Sequence, residues 1–216
     1  MTNHETPKHE TMTKPQAGTA GLSSHDMQDA RRRFREFRRG NTHERVFTHP
    51  TCHPAEATGF CPCDRSVWKA TWLYARGMLL GWVFTLPFNT LKAWLLRRLG
   101  ARIGRGVYFC PGVWIDPLFP ELLTIEDGVF LGTGAKVSLH EFGLDEFRAG
   151  KVILRRGALI GGLAVVRCGV EIGEHAVVAG CAVVASDVPA NCTAISPPAR
   201  IVRREPCPSC PPPSDE

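Results

Sequence analysis

Apolar side chains recur every six residues through the C-terminal half of the chain. Between residues 154 and 188, a column of bulky aliphatic residues is followed four positions later by a column of small apolar ones. The first column contains Leu154, Ile160, Val166, Ile172, Val178 and Val184, and the second contains Ala158, Ala164, Val170, Ala176, Ala182 and Val188. A helix repeats about every 3.6 residues and a strand about every 2, so this period predicts a three-sided β-solenoid that turns a corner every six residues.

The same two columns continue upstream, but their phase slips twice. One slip lies between Ile115 and Ile125, and the other lies between Val137 and Leu154. A slip of this kind predicts a loop that leaves the solenoid, and loops on a rigid scaffold commonly carry function. Both interruptions are therefore candidate places for a functional site.

An aromatic-rich stretch precedes the solenoid and predicts two amphipathic helices. They are expected at about 66–86 and about 88–99, with Pro87 between them and Gly100 as the stop. The 15 uncharged residues between Arg76 and Lys92 are too few for a comfortable membrane span. Two interpretations stay open: the helices lie in a membrane interface through their tryptophans and basic flanks, or they cover the first coil or pack between subunits.

The rest of the chain is expected to pack no core, because it is polar and lacks a sustained period. The expected organisation is a polar, disordered arm at 1–64, amphipathic helices at 65–99, a solenoid at 100–204 and a Pro/Cys-rich tail at 205–216. Within the arm, residues 24–37 predict a helix that overlaps the run 31–39 with its 6 arginines. That run is either a patch for nucleic acid or anionic lipid or a solvated surface. The second interpretation is favoured, because only Phe34 and Phe37 interleave the charge.

Charge and cysteine content narrow the class of protein. The formal net charge is a modest +5, and nucleic acid is not an expected partner. The 9 cysteines are an odd number and no apolar secretory segment follows the polar start, so we expect reduced thiols in a cytoplasmic protein. A zinc site built from Cys61, Cys63, Cys207 and Cys210 is not expected, because C-x-C is an unusual knuckle and the second pair lies in the Pro-rich tail.

Aliphatic-glycine pairs within the six-residue period carry a family resemblance. They are Ile103-Gly104, Leu131-Gly132, Ile160-Gly161 and Ile172-Gly173, and the closing segment reads DVPANCTAISPPARIVRR. Over about residues 91–204 the chain resembles the hexapeptide-repeat acyltransferases, whose fold is a left-handed parallel β-helix. The resemblance implies an acetyltransferase that uses acetyl-CoA, acts on a small acceptor and assembles as a homotrimer.

Acetyl transfer to a hydroxyl or amine needs a base for the acceptor's proton and a donor for the oxyanion. Histidine is the natural base near neutral pH, and the solenoid contains two, His140 and His175. His140 directly precedes the second slip, and the resemblance implies a histidine at the coil edge facing the cleft between two subunits; otherwise it is an ordinary loop residue. Glu141 interrupts the small-residue column, so it either orients His140 or contacts substrate, or is the first solvated residue of the loop. His175 is expected to be exposed and incidental.

Asp116 opens the first slip and should lie near the same rim as His140, where it binds an acceptor hydroxyl or only forms a turn before Pro117.

For acetyl-CoA, the resemblance implies a groove of small residues for the pantetheine arm and basic residues for the phosphates. The small residues are Gly161, Gly162, Ala179, Gly180, Ala185 and Ser186, and the basic residues are Arg200, Arg203 and Arg204. Backbone amides near Gly161 or in this groove are expected to stabilise the oxyanion.

The prediction is thus a mainly β, trimeric acetyltransferase that acts on a small, sugar-like acceptor and holds no metal. A second class stays open, a non-catalytic solenoid scaffold that binds a membrane or partner through its N-terminal helices. Binding of acetyl-CoA would separate the two. A metal-dependent hydratase like the γ-carbonic anhydrases needs three converging histidines, and the solenoid has two.

Overall fold

Three helices and a first strand precede the solenoid. The computed structural model describes residues 24–50, 67–143 and 146–196. Helix α1 spans Ser24–Arg38, strand β1 spans Val46–Pro50, α2 spans Val67–Thr85 and α3 spans Asn89–Arg98. The helices predicted at 24–37, 66–86 and 88–99 are therefore confirmed. The predicted cysteine pairs at 61–63 and 207–210, the arginines at 200, 203 and 204, and the tail lie outside the described residues.

Short strands make up the solenoid and one lateral hairpin. They are β2 (Arg102–Ile103), β3 (Tyr108–Phe109), β4 (Trp114–Ile115), β5 (Leu123–Ile125), β6 (Phe130–Leu131), β7 (Lys136–Val137), β8 (His140–Phe142), β9 (Glu146–Gly150), β10 (Val152–Leu154), β11 (Leu159–Ile160), β12 (Val165–Val166), β13 (Glu171–Ile172), β14 (Val177–Val178), β15 (Val183–Val184) and β16 (Thr193–Ala194).

Three parallel sheets form the sides of the solenoid. The first sheet contains β2, β5, β10 and β13, the second contains β3, β6, β11, β14 and β16, and the third contains β4, β7, β12 and β15. Residues of the aliphatic column pair in register from coil to coil, as Ile103, Ile125, Leu154 and Ile172 do in the first sheet. All four are buried, because the last side chain of each of these strands points into the core. The predicted three-sided solenoid is confirmed, and its left-handed twist stays a prediction.

Both predicted slips are departures from the solenoid. The first, after β4, contains a 3-10 turn at Pro120–Leu122. The second is a hairpin rather than an open loop: β8 pairs antiparallel with β9, and β9 pairs with β1 from the N-terminal region. The resulting three-stranded lateral sheet begins at His140, so the N-terminal region is part of the scaffold beside this residue.

The expectation that residues 1–64 pack no core is wrong for α1 and β1. Phe34, Phe37 and Phe47 are all buried, and the Phe34 ring centroid lies 5.2 Å from that of Phe119 and 5.6 Å from that of Phe147. The aromatic residues of α1 lie on one side of the helix while most of its arginines are exposed on the other. The helix is therefore amphipathic, and its apolar side finds partners on both departures from the solenoid.

Helix α3 covers the first coil. Lys92 is only 1% exposed and donates a hydrogen bond to the Phe109 carbonyl at 2.9 Å, while the Asn89 side-chain oxygen accepts from the Phe109 amide at 3.1 Å. Arg97 donates to the Ile103 carbonyl at 2.9 Å. The capping interpretation is thereby confirmed for α3. Among the described helices, none has both the length and the apolar content needed to cross a membrane.

Candidate active site

His140 and Asp116 meet at the corner between the third and first sheets. The Asp116 amide donates to the Val137 carbonyl at 3.1 Å, so the coil that ends in β4 is stacked beside the coil that ends in β7. Nδ1 of His140 is hydrogen-bonded to Oδ2 of Asp116. The carboxylate also accepts from the amides of Leu118 at 2.9 Å and Leu139 at 3.1 Å. The predicted proximity of Asp116 and His140 therefore holds.

Of the two roles predicted for Asp116, the turn is present, because its carboxylate accepts from the amide of Leu118 two residues along the chain, and its side chain is fully buried. A buried carboxylate whose oxygens accept from an imidazole and two amides is not placed to bind an acceptor hydroxyl. It lies behind His140, and a carboxylate at Nδ1 favours the tautomer that carries its proton there. Nε2 then keeps its lone pair. This is the arrangement in which a histidine serves as a general base.

Aromatic rings fix the position of the His140 imidazole. Ring centroids of Phe119, Phe142 and Phe147 lie 5.5, 5.4 and 6.2 Å from that of His140. The Ser138 hydroxyl donates to the His140 carbonyl at 2.8 Å and so holds its backbone. The His140 side chain is 16% exposed, which leaves one edge open beside the half-exposed Phe142. The base is thus largely enclosed without being sealed from substrate.

Glu141 makes an ion pair with Arg167, one coil further along. Nε of Arg167 donates to one carboxylate oxygen at 2.8 Å, and a terminal guanidinium nitrogen donates to the other. This hydrogen bonding holds the pKa of Glu141 below its ordinary value, while burial raises the pKa of the neighbouring Cys168 thiol to about 11. The carboxylate bonded to the His140 ring is that of Asp116, whereas Glu141 is bonded to Arg167. An orienting role for Glu141 and its contact with substrate stay predictions.

The six small residues predicted to form one groove lie on two different corners. Gly161, Gly162, Ala179 and Gly180 lie between the second and third sheets, and we call this set the glycine corner. Ala185 and Ser186 follow β15 and lie between the third and first sheets. That second edge also carries His140 and Arg167, and we call these four residues the histidine corner. The third sheet separates the two corners, so the prediction of a single groove is wrong within one chain.

Close stacking of the coils explains part of the glycine corner. A Cβ atom at Gly161 would lie 2.5 Å from the Gly180 nitrogen, so this glycine is required by the neighbouring coil, whatever ligand binds. The Gly161 amide donates to the Val178 carbonyl at 2.7 Å and is not available for the oxyanion role. At Gly162 the nearest atom to an added Cβ is the Thr133 oxygen at 3.3 Å. The four small side chains leave the backbone open to an extended ligand, which fits a pantetheine arm.

Comparison with known proteins distinguishes the two candidate classes, an acetyltransferase and a non-catalytic scaffold. No family model matches the chain. Over 117 residues it is 32% identical to "Putative acetyltransferase YvoF" of Bacillus subtilis (strain 168), a match that covers 54% of this chain and 68% of YvoF. The chain belongs to the hexapeptide-repeat acetyltransferase family. The match to YvoF thus extends over about half of this acetyltransferase.

Two solved structures are similar to this acetyltransferase. The hexapeptide-repeat acetyltransferase VCA0836 of Vibrio cholerae, complexed with acetyl-CoA, is 22% identical with a TM-score of 0.45, covering 64% of this chain and 90% of its own. A maltose O-acetyltransferase of Clostridium difficile 630 is 18% identical with a TM-score of 0.44, covering 62% and 88%.

Sequence reasoning missed the residues that support the acetyltransferase site. Phe119 and Phe147 lie inside the two slips, where no period assigns a side chain to the core. Arg167 is different, because it stands directly after the column residue Val166, as Asp116 stands directly after Ile115. Comparison of these positions from coil to coil would have put Arg167 on the same rim.

His175 is exposed at a turn of the solenoid, as predicted. Its φ of 54° is in the left-handed region, and its ring lies over Gly157 of the preceding coil. It lies in the turn between the first and second sheets, whereas the histidine corner lies between the third and first. Within the described residues, no group of three or more His, Cys, Asp or Glu side chains is placed to hold a metal ion.

Proposed function

We propose that this acetyltransferase transfers the acetyl group of acetyl-CoA to a hydroxyl or amine of a small, sugar-like acceptor. The hydrogen-bonded pair of His140 and Asp116 is the observation that supports the proposal most directly. A buried carboxylate, an oriented imidazole and one open edge are what a general base needs. The similarity to YvoF supports acetyl transfer as the reaction class.

The residues of the histidine corner act on the acceptor. When bound, acetyl-CoA supplies a thioester that is reactive without a covalent enzyme intermediate. Nε2 of His140 removes the proton from the acceptor as its oxygen or nitrogen bonds to the acetyl carbon. The carbon–sulfur bond of the thioester then breaks, and coenzyme A leaves as a thiolate that takes the proton back from the imidazolium. The Asp116 carboxylate holds the ring and stabilises the imidazolium, and such base catalysis contributes roughly 100-fold to 10,000-fold.

The glycine corner is the proposed site of the pantetheine arm. An extended amide chain forms its hydrogen bonds with backbone groups, so small side chains at Gly162, Ala179 and Gly180 suit it. Arg200 and Arg204, with Arg203 beside them in sequence, are proposed to bind the coenzyme phosphates. Ala185 and Ser186 lie on the other corner, where they are proposed to border the transferred acetyl group.

A homotrimer would bring the two corners together. Within one chain they are separated by the third sheet, whereas packing around a three-fold axis can set the histidine corner of one protomer against the glycine corner of the next. Exposed apolar side chains on the sheets that flank the glycine corner support such packing. They are Tyr108, Phe130 and Leu159 on the second sheet and Trp114 and Val183 on the third. The coil is proposed to be left-handed, as the family resemblance implies.

The proposed location is the cytoplasm. The described cysteines Cys110, Cys168, Cys181 and Cys192 are all free thiols. A reducing compartment suits a protein with unpaired and partly exposed thiols.

The proposal is tested by binding and then by turnover. Acetyl-CoA should raise the Tm of the full chain, because a ligand that binds only the folded state stabilises it. A panel of sugars, amino sugars and amino acids is then screened for release of free coenzyme A thiol. An acceptor-dependent release supports the proposal. No Tm shift and no release with any member of the panel would contradict it.

A further inference from the structure

The two helices before the solenoid expose a large apolar surface. We call it the apolar helix face, and it consists of Trp72, Met78, Leu79 and Trp82 of α2 together with Phe88, Leu91 and Trp94 at α3. Their exposed fractions range from 38% to 76%. Scattered apolar residues are ordinary on a protein surface, but a contiguous group of this size indicates contact with another surface.

The exposed side of α2 carries no charge in its described part. From residue 77 onward its exposed positions are Met78, Leu79, Gly81, Trp82 and Thr85. The opposite side, with Leu80, Val83 and Phe84, is buried against the rest of the protein. A helix that is apolar on both sides is normally covered on both.

The stretch of sequence that contains this face is basic. Residues 65–115 contain 8 basic side chains and no acidic one, although Asp127 of the next coil lies beside Arg105. Arg97, Arg98, Arg102 and Arg105 are exposed at and just beyond the end of α3. The Arg98 guanidinium lies 5.3 Å from the Trp94 ring centroid, so positive charge directly borders the apolar surface. The complementary partner is an anionic one.

We propose that the apolar helix face docks this acetyltransferase on the surface of an anionic membrane. Exposed tryptophans beside arginines are the side chains that favour the boundary between headgroups and acyl chains. Each basic residue near an anionic surface adds electrostatic attraction, which falls off within about one Debye length of that surface. Since no described helix is suited to crossing a bilayer, the helices lie on it.

The docked helices are also fixed to the candidate site. Arg76 of α2 donates to the carbonyls of Pro117 and Leu118, which directly follow Asp116. Lys92 attaches α3 to the first coil. Docking would therefore hold the histidine corner at a set position relative to the membrane rather than on a loose tether.

Vesicle co-sedimentation of the full chain tests the proposal. Vesicles of phosphatidylcholine with about one-third phosphatidylglycerol should bind the protein, and binding should weaken as salt is raised. Phosphatidylcholine alone should bind less. Changing Met78→Ser and Trp82→Ser together should weaken binding to the mixed vesicles by roughly tenfold or more. The reason is that two apolar side chains that would become buried in the membrane on docking are lost.

Ile195→Ser is the matched control, because Ile195 is 76% exposed like Met78 but lies at the other end of the solenoid. It should bind as the unmodified protein does. Absence of binding to the mixed vesicles, or equal binding by the double variant, would overturn the proposal. Reduced oligomer mass of the double variant, with no vesicle binding by the unmodified protein, would assign the face to a second copy of the chain instead. Acceptor turnover is measured separately, so failure here leaves the proposed reaction untouched.

Discussion

His140 acquires its proposed role from a residue in another coil. Sequence placed Asp116 and His140 on one rim, because each follows the aliphatic column near a phase slip and the two are about one coil apart. It did not give Asp116 its role. The burial of that carboxylate depends on the packing of a loop and a helix that do not follow the repeat. The sequence therefore does not distinguish an aspartate that contacts the acceptor from one that orients His140.

Asp116→Asn should lower kcat by roughly 10-fold to 100-fold and leave the KM for acetyl-CoA unchanged. A carboxamide cannot accept from Nδ1 and from both backbone amides as the carboxylate does, so the imidazole loses its preferred tautomer. The measurement is steady-state kinetics with both substrates varied. A merely structural role would instead lower the Tm and change both kinetic constants.

Glu141→Gln is the matched control for that change, because Glu141 is also a carboxylate beside His140 but pairs with Arg167. Its kcat should stay within a few-fold of that of the unmodified enzyme, and loss of a substrate contact by Glu141 would raise the KM for the acceptor instead. If Glu141→Gln lost as much activity as Asp116→Asn, the orienting role would belong to both carboxylates or to neither.

Elements that repeat were predicted well, and elements that do not repeat were predicted poorly. The period of six gave the three sheets and both interruptions. The lateral sheet was missed, since β1 pairs with β9 across about a hundred residues and neither strand has a long alternating pattern. The packing of α1 was missed for a related reason: its arginines outnumber the two phenylalanines that carry its buried side, and their partners lie in the slips.

Substitution of two neighbouring glycines at the glycine corner distinguishes an effect on coil stacking from an effect on acetyl-CoA binding. Gly161→Ala should cost on the order of 1–3 kcal/mol of stability, because its Cβ would meet backbone of the next coil. Gly162→Ala should lower the Tm less than Gly161→Ala does and raise the KM for acetyl-CoA, since its Cβ lies 3.3 Å from the Thr133 oxygen, a smaller overlap, but narrows the proposed groove. Thermal unfolding and kinetics are measured on both. A normal KM in a folded Gly162→Ala enzyme would place the donor elsewhere.

At the scale of the whole molecule, each corner is proposed to supply half of an active site. The histidine corner supplies the base and the glycine corner supplies the groove for acetyl-CoA. The sequence placed all six small residues in one groove because it orders positions along the chain but does not show which sides of the solenoid they occupy. Sheet assignment separates them, and the proposed trimer reunites them across protomers. The separation also explains why one isolated chain presents a base without a facing donor groove.

Mixed trimers test that arrangement. His140→Ala removes one half-site and Gly180→Trp blocks the other, so each variant alone should be inactive. A trimer that contains both variants has one interface in three where an intact histidine corner faces an intact glycine corner. Co-expression with two affinity tags isolates such trimers, and they should recover about a third of the activity. Mixed trimers without activity would place both corners of each site in a single chain.

The most direct measurement is the turnover of His140→Ala beside the unmodified enzyme, with an acceptor from the screen and saturating acetyl-CoA. Loss of the base should reduce kcat roughly 100-fold or more, while the protein stays folded at the assay temperature and its oligomer mass is unchanged. A folded His140→Ala enzyme with near-normal kcat would contradict the proposed chemistry at the histidine corner.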